Sequence, residues 1–420
     1  MMNTISQTDQ YYQIPLPTII KVPLLTPWWT ANDLWAAVNA ILSGNSRSRE
    51  LSNLAKQIFG VKYVIATGRA SSALTLGLNA LGYSRGDEVI IQSMICRSVV
   101  QGIINAECNP VLADVGDDYN LDPAKIEECI SPSTKAIVMA NMFGKIADVE
   151  AIEDLARRHN LLLIDDAAVS AGARRNSKMS GSFGDFGIVS FNTGKNMIAG
   201  GGGLFLTGDR PLYESAASVK LPHIGRLRMW RHLFYLIGYH RYKKQLAPIA
   251  KLMREIRRET EIPVNEIYGV TVPQLELEEI SPLLCALALG QMRRLPEILE
   301  RCRKHAHILS EMLADIEEIE LPSGSFPEHV FTYYAISVRV DSRFELGQYL
   351  RGKGIETKWS YYPLHLQEAY RHYRHGNLEN TERLWPRLLY LPADANLSER
   401  QVISVGHAVQ DYYEQKKWKK

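Results

Sequence analysis

From residue 61 to residue 191 short apolar runs alternate with amphipathic stretches, and this rhythm restricts the fold more than any other feature. Val61–Thr67 is strand-like and is followed by a helical stretch, Ala73–Leu81. Val89–Ile91, Val111–Val115, Lys135–Met139, Leu161–Ile164 and Gly187–Phe191 repeat the strand pattern. Helical periodicity fills the spaces between the earlier runs, at Val99–Ala106, Asp122–Cys129 and Val149–His159. Strands alternating with helices predict an α/β architecture, a mostly parallel sheet covered on both faces by helices. Such sheets bind ligands beyond the carboxyl ends of their strands.

Two of those strand ends carry chemistry. Leu161–Ile164 runs into Asp165-Asp166-Ala167-Ala168, and Gly187–Phe191 runs into Asn192-Thr193-Gly194-Lys195-Asn196-Met197, with Gly200–Gly203 close behind. A lysine and a carboxylate delivered to one sheet edge are what pyridoxal phosphate (PLP) requires. The lysine forms a Schiff base with the aldehyde, and the aspartate keeps the pyridine nitrogen protonated. The bland alternative is a solvated lysine in a glycine loop. A phosphate-binding P-loop fails on spacing: Gly187 to Gly194 is too long, and Asn196 stands where Ser or Thr should bind magnesium. A third element is the turn Gly68-Arg69-Ala70-Ser71-Ser72 between a strand and a helix. Free N–H groups and the dipole at such a helix start suit a phosphate; an ordinary N-cap by Ser71 or Ser72 is the alternative.

The totals set limits. The 420 residues carry a net charge of +2, so no global charge pulls the chain toward nucleic acid. Five scattered cysteines (Cys96, Cys108, Cys129, Cys285 and Cys302) form no CxxC pair and read as reduced cytosolic thiols. The N-terminus has neither a basic nor an apolar leader region, and no uncharged apolar run approaches membrane-spanning length, so a cytoplasmic protein is expected. The length suggests a lead-in over 1–30, a major domain over 31–300 and a smaller α/β domain over 301–420. Thr30 is placed to cap a helix from Ala31 to Leu42, and Arg49–Phe59 forms a second helix. In the last region a helix over 304–316, a strand over 334–340, a helix over 343–351 and an edge strand ending at Trp359 are expected.

Gly86-Asp87-Glu88-Val89, Pro110–Val115, Asp165–Ala168, Phe183–Gly187, Ser190-Phe191 and Lys195-Asn196 occur in that order. Ser281–Leu287, Gln291, Lys353–Thr357, Tyr362–His365 and Leu391-Pro392 follow. Together they resemble the DegT/DnrJ/EryC1/StrS family of PLP-dependent sugar aminotransferases, over nearly all of residues 30–415. The resemblance implies fold type I, a homodimer, glutamate or glutamine as donor and a keto-sugar nucleotide as acceptor. It implies Lys195 as Schiff-base lysine and proton shuttle and Asp166 as partner of the pyridinium. Ala70, Ser71 and Ser190 would hold the phosphate, and His223 and His365 would lie toward the substrate. A partly buried loop histidine is the alternative for His365.

Four positions depart from the family pattern. Val169 replaces the Gln or His that contacts the cofactor's ring oxygen. Cys96 stands where an aromatic stacks on the ring; a reactive thiol is its alternative role. Gly194 replaces Thr or Ser. The Asn-Tyr-Arg motif that reaches the neighbouring subunit's phosphate is not evident, and Val270–Leu275 stands near its place.

Residues 220–258 carry eleven lysines and arginines against one carboxylate, Glu255, with Trp230, Phe234, Tyr235, Tyr239 and Tyr242 interleaved. A solvated helical insertion, a lid over an anionic substrate and contact with an anionic membrane surface all fit. Single-stranded nucleic acid fits least. A different PLP reaction on the same frame, such as dehydration or decarboxylative coupling, and a non-sugar acceptor remain open as functions. Dehydrating relatives replace the lysine with histidine, and Lys195 is present. A PLP-binding regulatory relative is the non-enzymatic alternative.

Overall fold

The computed structural model describes residues 20–241, 277–321, 336–339 and 343–417. Part of the basic stretch, 242–258, the segment Val270–Leu275, and the ends of the expected strand over 334–340 lie outside the described residues.

The major sheet has seven strands: β1 (Tyr63–Thr67), β2 (Glu88–Gln92), β3 (Asn109–Ala113), β4 (Thr134–Ala140), β5 (Leu162–Asp166), β8 (Phe186–Ser190) and β9 (Gly203–Thr207). The two-residue strands β6 (Arg174–Arg175) and β7 (Lys178–Met179) form a separate hairpin. The order across the sheet is β1-β9-β8-β5-β4-β2-β3. Only β9 runs against the others; it is antiparallel to both β1 and β8. Sequence patterning missed β9, because Gly203 and the preceding glycines hide the start of its apolar run.

Helices cover the sheet, and their caps follow local chemistry. Thr30 caps helix Ala31–Ser43: its hydroxyl accepts the Asp33 N–H at 3.2 Å, and Asp33 accepts the Thr30 N–H at 2.8 Å. Asp122 and Asp148 cap helices Pro123–Glu128 and Val149–Arg158. Helix Ala70–Ala80 begins three residues earlier than the periodicity suggests. Its N-cap is Arg69, with no side-chain cap, so neither Ser71 nor Ser72 plays that part. Residues Pro282–Met292 of helix Pro282–Arg293 are all buried.

The second sheet is β10 (Ile336–Arg339), β12 (Leu388–Leu391) and β11 (Lys358–Trp359), antiparallel in that order, so β11 is an edge. Helix Leu295–Leu313 starts nine residues before the expected position and runs unbroken through residue 300. The lead-in ties the two sheets together. Leu24 N–H donates to Glu356 at 2.9 Å, and Gln291 Nε2 and Arg294 Nη2 both donate to the Trp28 carbonyl.

Candidate active site

The parallel strands carry the site residues to one edge of the sheet. At the end of β1, Thr67 Oγ1 donates to the Arg69 carbonyl at 2.7 Å and Gly68 N–H to the Glu278 carbonyl at 2.7 Å. The turn into helix Ala70–Ala80 is thereby held from inside and outside. That helix start forms one wall of a cavity of about 230 Å³. Gly68, Arg69, Ala70, Ser71, Ser98, Gln101, Ser190, Asn192 and Gly200–Gly202 line the cavity on the sheet side. Ile224, Arg228, Met229, His232, Glu278, Ser281 and Leu284 complete it.

The lysine loop leaves β8 and returns as β9. The Phe191 carbonyl accepts N–H groups from Ala199, Gly200 and Gly201 at 2.9, 3.0 and 3.2 Å, pinching the loop shut at its neck. Gly200 and Gly202 take φ values of +86° and +93°, which side chains resist. Inside the loop, Asn196 Nδ2 donates to the Ala171 carbonyl at 2.7 Å. Trp29 Nε1 donates to the Ile198 carbonyl at 2.7 Å, and Gln291 Oε1 accepts the Ile198 N–H at 3.3 Å. Lys195 is thus carried on a backbone fixed from both sides, and it is only 8% exposed.

The adjacent carboxylates at the end of β5 divide by strand alternation. Asp165 is enclosed by donors: Asn141 Nδ2 at 2.9 Å and the N–H groups of Gly181 and Phe183 at 2.5 and 3.1 Å. Burial pushes its pKa up to about 7, against the pull of those donors. It anchors the loop that leads into β8. Asp166 is the one that senses Lys195. Burial raises its pKa, while the Lys195 cation and the Ala168 N–H, 2.9 Å away, favour the carboxylate.

The other expected residues are placed as follows. Ala70, Ser71 and Ser190 line the cavity. Val169 is buried with Leu24, Leu25, Ile198 and Tyr390 in an apolar cluster. Cys96 precedes helix Arg97–Asn105, is half-buried, and has its Sγ 3.1 Å from Ser98 Oγ. His223 is exposed and pairs with Glu279. His365 is buried, its Nδ1 2.6 Å from Ser93 Oγ and its Nε2 3.2 Å from Glu382. Burial is the main reason that its pKa falls to about 4. Sequence reasoning did not single out Arg69, Arg228 or His232. The signal for the last two was their i, i+4 spacing beside the apolar positions Met229, Leu233 and Leu236.

A buried lysine acting on a buried carboxylate, together with a polar-lined cavity at a helix start whose lining includes neither of them, fits PLP by the chemistry of its donor set. The parallel sheet with one antiparallel strand and the smaller second sheet place the chain among fold type I PLP-dependent enzymes. The DegT/DnrJ/EryC1/StrS aminotransferase family model matches residues 35–410, and the chain belongs to that family, with PLP as its cofactor. The chain is 30% identical over 365 residues to a pleiotropic regulatory protein of Geobacillus stearothermophilus, covering 84% of this chain and 85% of that one. It is 30% identical over 349 residues to the GDP-perosamine synthase of Caulobacter vibrioides, covering 82% and 84%. The crystal structure of the aminotransferase TlmJ from Streptoalloteichus hindustanus superposes with a TM-score of 0.75 at 24% identity, covering 93% of this chain and 98% of that one.

Proposed function

We propose that this aminotransferase moves an amino group from an amino acid, glutamate foremost, to a keto-sugar nucleotide. The likeness to GDP-perosamine synthase supports that acceptor class. The observation that carries the residue assignments is the buried Lys195 acting on buried Asp166 at the same sheet edge as the anion cavity. When bound, PLP supplies an electron sink that renders the Cα proton of an amino acid acidic.

Lys195 Nζ would hold the aldehyde carbon of the bound cofactor. With an amino donor in the site, Lys195 Nζ would be the base that takes the donor's Cα proton and returns it two bonds away, on the carbon across the nitrogen. The Asp166 carboxylate would keep a proton at the ring nitrogen. The first N–H groups of helix Ala70–Ala80 and the hydroxyls of Ser71 and Ser190 hold the phosphate. Val169, packed in one cluster with Ile198, would present an apolar surface where other family members make a polar contact to the ring oxygen. Cys96 would stand in for the aromatic that stacks on the cofactor ring in the family.

The reading includes a homodimer in the cytoplasm, with residues 31–300 and 301–420 as its two domains. Trp35, Leu42, Leu227, Phe234 and Tyr235 stay exposed on neighbouring helices, and large apolar surface of that kind is commonly covered in assemblies. No helix among the described residues is long and apolar enough to cross a membrane.

The test is the visible absorbance of the protein with PLP, wild type beside Lys195→Ala, followed by L-glutamate and then a panel of keto-sugar nucleotides. A lysine-dependent band that glutamate bleaches and a keto-sugar nucleotide restores is expected. A band indifferent to Lys195 would overturn the assignment. A band that glutamate and the other common amino donors leave unchanged would overturn amino transfer. A stable, active monomer in gel filtration would sink the dimer.

A further inference from the structure

The cavity wall that faces the start of helix Ala70–Ala80 belongs to helix Arg226–Arg241, the first part of the basic aromatic stretch. This helix is seated on the glycine loop. A Cβ on Gly200 would come within 2.3 Å of Leu236, and one on Gly201 would lie 3.6 Å from the His232 ring. Met229, Leu233 and Leu236 are buried in the same cluster as Phe191, Ala199 and Leu284. Their spacing makes one apolar stripe along the helix. With that stripe docked, Arg228 and His232, one turn apart, are set at the cavity, where both form part of its lining.

Charge around the cavity is arranged for an anion. Arg228 is held by a two-point pair with Glu278, Nη1 to Oε1 and Nη2 to Oε2, the latter at 3.3 Å. Arg69 lines the cavity from the opposite side. Burial chiefly lowers the His232 pKa and the nearby charges of Arg228 and Arg69 add to that, against its hydrogen bond to the Gly200 backbone, so the ring is a neutral imidazole until an anion arrives to favour its protonation. Two guanidinium groups and an imidazole therefore surround one space that contains a single carboxylate, Glu278. Glu278 orients the Arg228 fork, and a guanidinium has five N–H donors. A helix start alone brings partial charge; a phosphate dianion is matched by full cations with directed N–H groups.

We propose that Arg228 and His232 are phosphate-binding residues of the cofactor site, supplied by the same chain that supplies Lys195. The proposal rests on the reading that Ala70, Ser71 and Ser190 hold the cofactor phosphate. It gives the first helix of the basic stretch a definite task. It also accounts for a family member with no arginine in Val270–Leu275, where a neighbouring subunit's contact was expected.

The test compares PLP with pyridoxal, which has the same ring and aldehyde but no phosphate. Each is titrated by absorbance and tryptophan fluorescence into the full chain stripped of cofactor. The proteins are wild type, Arg228→Gln, His232→Ala and Ser190→Ala. Arg228→Gln and His232→Ala should each weaken PLP about tenfold or more and leave pyridoxal within about twofold, the loss of one charge-assisted contact. If Arg228→Gln does not fold, Arg228→Lys keeps the cation without the fork and should give a smaller loss, and His232→Ala is read independently. An unchanged preference for PLP in the Arg228 and His232 variants, with Ser190→Ala reducing it, would refute this proposal and leave the cradle standing. An unchanged preference in all of them would refute the cradle itself.

Discussion

Replacing Gly203 by alanine tests whether the anion cradle depends on the one strand that runs against the sheet. Gly203 begins β9 and is paired on both sides, with Thr67 of β1 and Ser190 of β8. A Cβ at this position would lie 2.4 Å from the Ala70 nitrogen and 2.6 Å from both the Ala70 Cα and the Arg69 carbonyl carbon. Carbon contacts are comfortable from about 3.5 Å, so roughly 1 Å of separation must be found. All three neighbours are backbone, so no side chain can swing away. Since β9 is held by two ladders, the turn at Arg69–Ala70 is the part that gives. Overpacking of this kind costs about 1–3 kcal/mol, and a displacement of ~1 Å in a positioning group lowers turnover by about a hundredfold. Urea denaturation measures the first effect, and PLP titration with glutamate half-reaction rates measures the second. The control is Gly208→Ala, whose Cβ would meet nothing within 4 Å and which should leave both nearly unchanged. A Gly203→Ala protein with wild-type midpoint and cofactor affinity would refute the argument that the strand backs the cradle.

Three more outcomes are expected. Gln291→Leu removes the acceptor for the Ile198 N–H and a donor to the Trp28 carbonyl; a loss of about 1–3 kcal/mol in urea denaturation is expected, with slower half-reaction rates from a loosened Lys195 loop, and unchanged rates would deny the clamp. His365 has a folded pKa of about 4, below the usual value of 6.5 for histidine, so the unfolded chain binds the extra proton first. Its contribution is complete above about pH 6.5 and is lost as pH falls toward 4, by at most about 3 kcal/mol; His365→Gln should flatten that slope in a pH series of denaturation curves, and an equally steep slope would exclude this histidine as its source. Cys108, Cys129 and Cys285 are buried, with thiol pKa values pushed up to about 11, 11 and 12, and Cys302 is raised by burial as well. A thiol reagent should therefore label at most Cys96 in the native protein and all five after denaturation, and fast reaction at two or more native thiols would contradict this packing.

Much of this molecule is legible from residue order, for a physical reason. Apolar runs bounded by turns can be buried only as strands of a covered sheet, so the parallel strands were recoverable to within a few residues. Lys195 and the Asp165-Asp166 pair fall at strand ends by counting alone. Three matters were decided only by tertiary packing. Adjacent aspartates look equivalent by local pattern, so Asp166 was picked from the family resemblance alone, and it is the alternation of β5 against the 180–183 loop that gives Asp165 to backbone donors and leaves Asp166 to Lys195. His365 sits in a motif that suggests substrate contact, and its burial against Ser93 and Glu382, distant in the chain, is set by packing alone. Local patterning could show that residues 226–241 form a basic helix with an apolar stripe. It could not show that the stripe lands on Gly200 and Gly201 and brings Arg228 and His232 into the lining of the cavity at the helix start, because that depends on contacts between segments far apart in the chain.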